Sequence, residues 1–159
     1  MSEVAHEILP NLWLGNRNAA LDPAWLSQKQ IRAVFNCTKD IPYYPTIQRR
    51  YRVPVDDNLQ PNEIRNMELW AYELVHKLTL EYKTGQPILV HCAAGMQRSA
   101  AAIALFLIAS RNMTPDQAIE FIREKRSIAF YPRANFRPAI EGFYKTFQRD
   151  IAPSLALIS

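Results

Sequence analysis

The sequence predicts an α/β sheet protein, and three observations predict it. Strand-like runs crowd the opening third of the chain, and helix-period segments fill most of the rest. A short apolar run at 87–91 passes through a glycine-containing gap into a longer, alanine-rich apolar run at 100–109, as when a buried strand feeds a buried helix. At 114–117, T-P-D-Q combines an N-cap, a proline at the first helical position and a capping-box glutamine. With 159 residues and no internal repeat or linker, one domain is expected over 1–150. A short tail at 151–159 carries no strong signal.

Each element has a local reason. Residues 6–15, H-E-I-L-P-N-L-W-L-G, read as two short strands around a Pro-Asn turn, closed by Gly15. Asp22 is an N-cap, with Pro23 as first helical residue and Trp25-Leu26 on the apolar face. Strands are expected at 31–37 and at 50–55, with Pro54 near the end where the ladder can lose a donor. Ile64, Met67, Trp70-Ala71, Leu74-Val75 and Leu78 recur at helical spacing over 62–82, and Gly85 stops that helix. The alanine-rich helix is apolar on nearly every side and is therefore expected to be central. Ile119 and Ile122 mark an amphipathic helix after Thr114, and a last helix is expected over about 135–148.

Composition excludes some classes of function. Apolar residues at 48% and charged ones at 21% are ordinary for a folded domain. The longest apolar run falls short of the ~20 residues of a membrane span, and Glu3 and His6-Glu7 interrupt any cleavable leader. Two cysteines cannot make a disulfide framework, so a reducing compartment is expected: cytoplasmic by default, with nucleus and virion left open. A net charge of +4 suits an anionic substrate or partner. Oligomeric state leaves no mark in the sequence.

The gap between the two apolar runs carries the chemistry. It reads H-C-A-A-G-M-Q-R-S over 91–99. A strand that ends in a glycine-containing loop and re-enters as a helix makes a phosphate cradle, with amide N–H groups turned inward and the helix N-terminus adding partial positive charge. Arg98 can supply a two-pronged grip on phosphate oxygens. Cys92 lies at the bottom, where these groups favour the nucleophilic thiolate. Ser99 can donate to the sulfur and help it leave, and Gly95 permits a turn that a β-carbon would obstruct. A bare Cys-x5-Arg is weak evidence; the apolar strand before it and the buried helix after it give it weight.

These residues match the H-C-x-x-G-x-x-R-S/T signature of cysteine-based protein tyrosine phosphatases, and the chain resembles their compact dual-specificity branch. I-L-P-N-L-W-L-G at 8–15 is similar to that branch's opening, A-V-F-N-C-T at 33–38 to its V-L-N-V strand, and V-P-V-D-D at 53–57 to its I-P-V-x-D segment. The resemblance implies a central twisted mixed sheet flanked by helices, with the Cys-x5-Arg loop between a strand and a buried helix. It also implies hydrolysis of phosphate esters through a phosphocysteine, with no metal and no cofactor. Cys92 would be the nucleophile. Arg98 and the backbone amides of Ala93, Ala94, Gly95, Met96, Gln97 and Arg98 would hold the phosphoryl oxygens.

The family pattern puts the general acid at Asp57, with Asp56 as competitor. His91 would orient the loop and support the thiolate, or be structural. Asn36 would brace the phosphate loop from a neighbouring strand. Cys37, next to Asn36, would point to the opposite face and so away from Cys92. Arg126 would be either a rim contact or a solvated helix-end charge. Arg133-Ala134-Asn135-Phe136 resembles the family's P-N-x-F segment without its proline in register, and no site role is expected there.

The variable loop residues Ala93, Ala94, Met96 and Gln97 carry no charge, which counts against an inositide substrate. A shallow pocket is expected, admitting phosphotyrosine and phosphoserine or phosphothreonine on protein partners. The alternative is an RNA 5′-phosphatase, for which Arg49-Arg50-Arg52 and Arg123-Lys125-Arg126 could follow a nucleic-acid backbone; it is not favoured, since scattered arginines usually form a solvated surface. A binding module without catalysis fits less well, because nucleophile, arginine and acid are all present.

Overall fold

The computed structural model of the chain describes residues 3–151 and Pro153. The expected tail therefore lies almost wholly outside the described residues. Strands β1 (Ala5–Leu9) and β2 (Leu12–Gly15) form a hairpin whose turn places Asn11 at φ 69. Asparagine tolerates that left-handed conformation better than most residues. Strands β3 (Ala33–Asn36), β4 (Arg49–Arg52) and β5 (Ile88–His91) complete a five-stranded sheet in the order β1-β2-β5-β3-β4. Only β1 runs antiparallel to its neighbour, so the sheet is mixed.

Two helices cover one face, α1 (Arg17–Ala20) and α2 (Pro23–Gln28). The other face carries α3 (Pro61–Lys83), α4 (Arg98–Arg111), α5 (Pro115–Lys125) and α6 (Arg137–Thr146). Alternation along the strands divides the core accordingly. Ala33, Phe35, Ile88 and Val90 join the large helical core, whereas Val34 and Leu89 join a smaller cluster with Ala19, Ala20 and Leu26. Helix α4 is central, with every residue from Ser99 to Ile108 buried.

Several expectations hold in detail. The Asp22 side chain accepts from the Ala24 and Trp25 amides, Thr114 and Gln117 form a reciprocal capping box, and Gly85 ends α3 at φ 76. Others need correction. Strand β4 ends at Arg52, because Pro54 has no N–H to continue the ladder; only the Val53 amide still bonds Asn36 O, at 2.9 Å. The short helix α1 was not expected; Asn16 caps it by accepting from the Asn18 and Ala19 amides. The last helix starts two residues later than expected and continues into a π-helical turn at Phe147–Ile151. Among the described residues, no helix is long and apolar enough to cross a membrane.

Candidate active site

At the carboxyl end of β5, five consecutive carbonyls are held from outside by different parts of the molecule. The His91 ring donates from Nδ1 to Cys92 O (3.3 Å), and the Arg17 amide donates to Ala93 O (3.0 Å). Arg126 donates from Nη2 to Ala94 O (3.4 Å) and from Nε to Gly95 O (2.9 Å). The Phe130 amide donates to Met96 O (2.7 Å). In a trans peptide the N–H points opposite to the C=O. Fixing these carbonyls outward therefore turns the amides of Ala93, Ala94, Gly95, Met96 and Gln97 inward, over Cys92. The unbonded N–H groups at the start of α4 add to the same hollow, since Gln97 caps that helix only with its backbone.

Gly95 adopts φ 66, and a β-carbon there would lie 2.6 Å from Gly15 O. The loop is thus pressed against the end of β2. Cys92, 2% exposed, has its Sγ 3.1 Å from the Ser99 hydroxyl. Arg98 donates from Nη1 to Val55 O (3.0 Å), and its buried Nε has no hydrogen-bond partner among the described residues. The Nε–Nη2 edge of the guanidinium is the edge suited to a two-pronged oxyanion contact.

The open side of this cradle is a cleft of about 470 Å³, bordered by Arg17, Asp40, Pro42, Asp56, Asp57, Ala93 and Arg98. The two aspartates differ in their engagements. Asp56 is 3.1 Å from the Lys39 ammonium, which also pairs with Glu63. Asp57 is exposed and accepts one hydrogen bond, from Asn135 Nδ2 at 3.0 Å. Asp56 is thus committed to a cation, while Asp57, among the described residues, bonds a neutral amide.

Four expectations change here. Asn36 does not brace the phosphate loop: its side chain donates to Ile41 O (2.7 Å) and accepts from the Thr38 amide and hydroxyl, shaping the loop after β3 instead. The cause is register. Asn36 pairs with His91, so Asn36 and His91 share one face, and the next residues, Cys37 and Cys92, share the other. Cys37 therefore lies on the side of Cys92 rather than away from it; burial pushes the Cys37 thiol up, and charge on Cys92 pushes it further.

His91 is fully buried, and burial, with the charges of Arg52 and Arg98, lowers its pKa to about 4. Its ring is neutral near pH 7 and lends Cys92 no charge; it orients a carbonyl. Arg126, 0% exposed, is neither rim nor solvated. Beyond its two loop carbonyls it donates from Nη1 to Glu3 O (2.9 Å) and to His6 Nδ1 (2.8 Å). The His6 pKa is lowered by burial and by this arginine, consistent with a neutral, accepting ring. One sequence signal marked Arg126: it continues the stripe of Ala118 and Ile122 at helical spacing, where a solvated residue has no place. Arg17 and Asn135 were not anticipated at the site, and the P-N-x-F resemblance was the only pointer to Asn135.

Comparison with known proteins agrees with this arrangement. A family model described as dual specificity phosphatase, catalytic domain, matches residues 12–146. Human dual specificity protein phosphatase 2 is 31% identical over 123 residues, covering 77% of this chain and 38% of that protein. Human dual specificity protein phosphatase 4 is 30% identical over the same length, covering 77% and 30%. The chain thus spans well under half the length of these curated relatives. Among solved structures, DUSP15 superposes with a TM-score of 0.81 at 23% identity, covering 96% of this chain and 95% of that one. A mouse putative dual specificity phosphatase complexed with zinc tungstate gives 0.75 at 25% identity, covering 93% of each chain.

Proposed function

Because this chain belongs to the dual specificity phosphatase catalytic-domain family, we propose that it hydrolyses phosphate monoesters on phosphotyrosine and on phosphoserine or phosphothreonine of protein substrates. We take residues 1–150 as one catalytic domain with a tail at 151–159, acting in a reducing compartment, the cytoplasm in the simplest case. Its two thiols are both free and buried, which suits that setting.

The observation that carries the reading is the inverted phosphate loop, whose carbonyls are all bound from outside. A ring of inward amides above a buried sulfur complements a tetrahedral oxyanion that presents three oxygens to it. The tungstate held by the mouse relative is such an oxyanion.

The reaction we propose runs on these residues. The Cys92 thiolate attacks phosphorus in line, and the S–P bond forms as the ester P–O bond breaks. Charge on the equatorial oxygens meets the loop amides and the Nε–Nη2 edge of Arg98, which are already in place. Asp57 gives its proton to the departing oxygen. The resulting carboxylate takes a proton from water, which attacks the phosphocysteine. Sulfur then leaves as thiolate, received by the Ser99 hydroxyl 3.1 Å away.

Arg49, Arg50 and Lys125 are exposed, but the arginines of the basic clusters are each bonded within the chain, which supports protein over RNA substrates. Arg50 donates to Ile47 O, Arg52 to Thr38 O and Ile41 O, and Arg123 to Ala129 O and Phe130 O. Arg49 pairs with Glu81 and Arg126 is buried.

The test compares turnover of matched phosphotyrosine and phosphothreonine peptides with that of a 5′-triphosphorylated RNA, in EDTA, with Cys92→Ser as blank. Turnover of both peptides, lost in the variant, is expected. Preference for the RNA end overturns the substrate class, and no turnover at all leaves a phosphate-binding module.

A further inference from the structure

Gln97 serves the phosphate loop with its backbone, but its side chain leaves the loop altogether. The residue is 6% exposed, and its amide reaches into the segment between α5 and α6. It donates from Nε2 to Tyr131 O (3.2 Å) and to Arg133 O (2.8 Å), and Oε1 accepts from the Asn135 amide (2.9 Å). Both N–H groups and the oxygen are engaged, so the carboxamide satisfies three main-chain groups of one short segment. At the end of that segment, Asn135 turns its own Nδ2 onto Asp57 Oδ1 at 3.0 Å. A continuous chain of hydrogen bonds thus runs from the residue beside Arg98 to the carboxyl across the cleft.

From this we infer that Gln97 is a positioning residue for the general acid: it clamps the 131–135 segment onto the phosphate loop so that Asn135 holds Asp57 at a set distance from the bound phosphate. The inference rests on the reading of Asp57 as the acid. An N–H donated to Oδ1 is best accepted by a carbonyl-type oxygen, which assigns the acidic proton to Oδ2, the oxygen left to face the departing group. After transfer, the same N–H stabilises the carboxylate that must then take a proton from water. No other side chain reproduces the clamp. Glutamate has no N–H for the two carbonyls, methionine has no donor and only a weak sulfur acceptor, and asparagine is one methylene short.

The consequence is measurable because only some substrates need the acid. Phenyl phosphate releases a basic phenoxide and depends on proton donation. Difluoromethylumbelliferyl phosphate releases a stable anion and hardly depends on it. The ratio of kcat/KM for the two substrates covers only the steps through transfer to Cys92 and therefore reports on proton donation, while any loss common to both reports on the loop. The experiment measures this ratio for wild type, Gln97→Met, Asn135→Leu, the double variant and Asp57→Asn, with thermal melts to establish folding. Asn135 is only half-buried, so its variant keeps the test available if Gln97→Met does not fold.

Each single variant is expected to shift the ratio against phenyl phosphate by about three- to tenfold, the scale of one lost hydrogen bond. The double variant should shift it no further, since both residues act through one bond. An unchanged ratio in Gln97→Met and Asn135→Leu, with a shifted ratio in Asp57→Asn, overturns the inference alone. An unchanged ratio in Asp57→Asn overturns the reading of Asp57, and the inference with it.

Discussion

The floor and the wall of the cleft are built to different standards. The floor, residues 92–97, has five successive carbonyls tied to β5, α1, the segment after α5 and a buried arginine. The wall, residues 55–60, shows no such run of held carbonyls among the described residues and is tied largely through side chains. Arg98 bonds Val55 O, Asn135 bonds Asp57, Lys39 pairs with Asp56, and Asn58 caps the Gln60 amide at 3.0 Å. Leu59 there stands 63% exposed at φ 63. The group that meets developing charge gains most from being fixed in advance, because dipoles that must reorient give back part of what they stabilise. The group that delivers a proton must approach, release and return, and a loose mounting permits that.

The contrast can be broken first at the sulfur. Cys92→Ser is expected to lower kcat by at least about 10⁴-fold while the melting temperature stays near wild type, as steady-state assay and calorimetry would check. Arg98→Lys should cost about 10²- to 10³-fold in kcat/KM, because an ammonium cannot hold Val55 O and grip two oxygens together. On the wall, Asp57→Asn should lose about 10²-fold on unactivated esters, and Asp56→Asn, which breaks only the pair with Lys39, less than about threefold. Equal losses at 56 and 57 would erase the distinction between the two carboxylates.

Arg126→Met tests whether the floor is held from below. It orphans two loop carbonyls in a buried setting, so an activity loss of about tenfold and a stability loss of about 2 kcal/mol or more are expected. The remaining effect is on pH and leaves activity near neutrality untouched. The pKa values of His91 and His6 are lowered in the folded chain, so the unfolded chain takes up their protons first. The contribution of His91 is full above about pH 6.5 and is lost as pH falls toward 4, on the order of 3 kcal/mol, and that of His6 is lost in the same direction. Urea melts across that range should show a shallower decline in His91→Gln than in wild type.

The sequence made the floor legible and left the wall and foundations obscure, for a physical reason. Cys92, Gly95, Arg98 and Ser99 lie within one strand-loop-helix unit, where local spacing reports geometry. Arg126, Asn135 and Arg17 reach the site from distant elements, and their meeting depends on packing that no local pattern encodes. Asn36 and Cys37 were misplaced because alternation says which residues share a face within one strand. It takes the β3–β5 register to say which face meets Cys92. The capping motifs at Asp22 and Thr114 and the stop at Gly85 were read correctly because a cap is a contact between near neighbours.

The contact between Gly95 and the end of β2 constrains how this chain can vary. A β-carbon at 95 would lie 2.6 Å from the carbonyl oxygen of Gly15 and 2.7 Å from its carbonyl carbon, both main-chain atoms. Every amino acid at position 15 carries those atoms, so trimming a side chain there makes no room. A suppressor screen begun from Gly95→Ala should therefore return true revertants at that codon and no compensating change at position 15. The obstacle is the polypeptide itself.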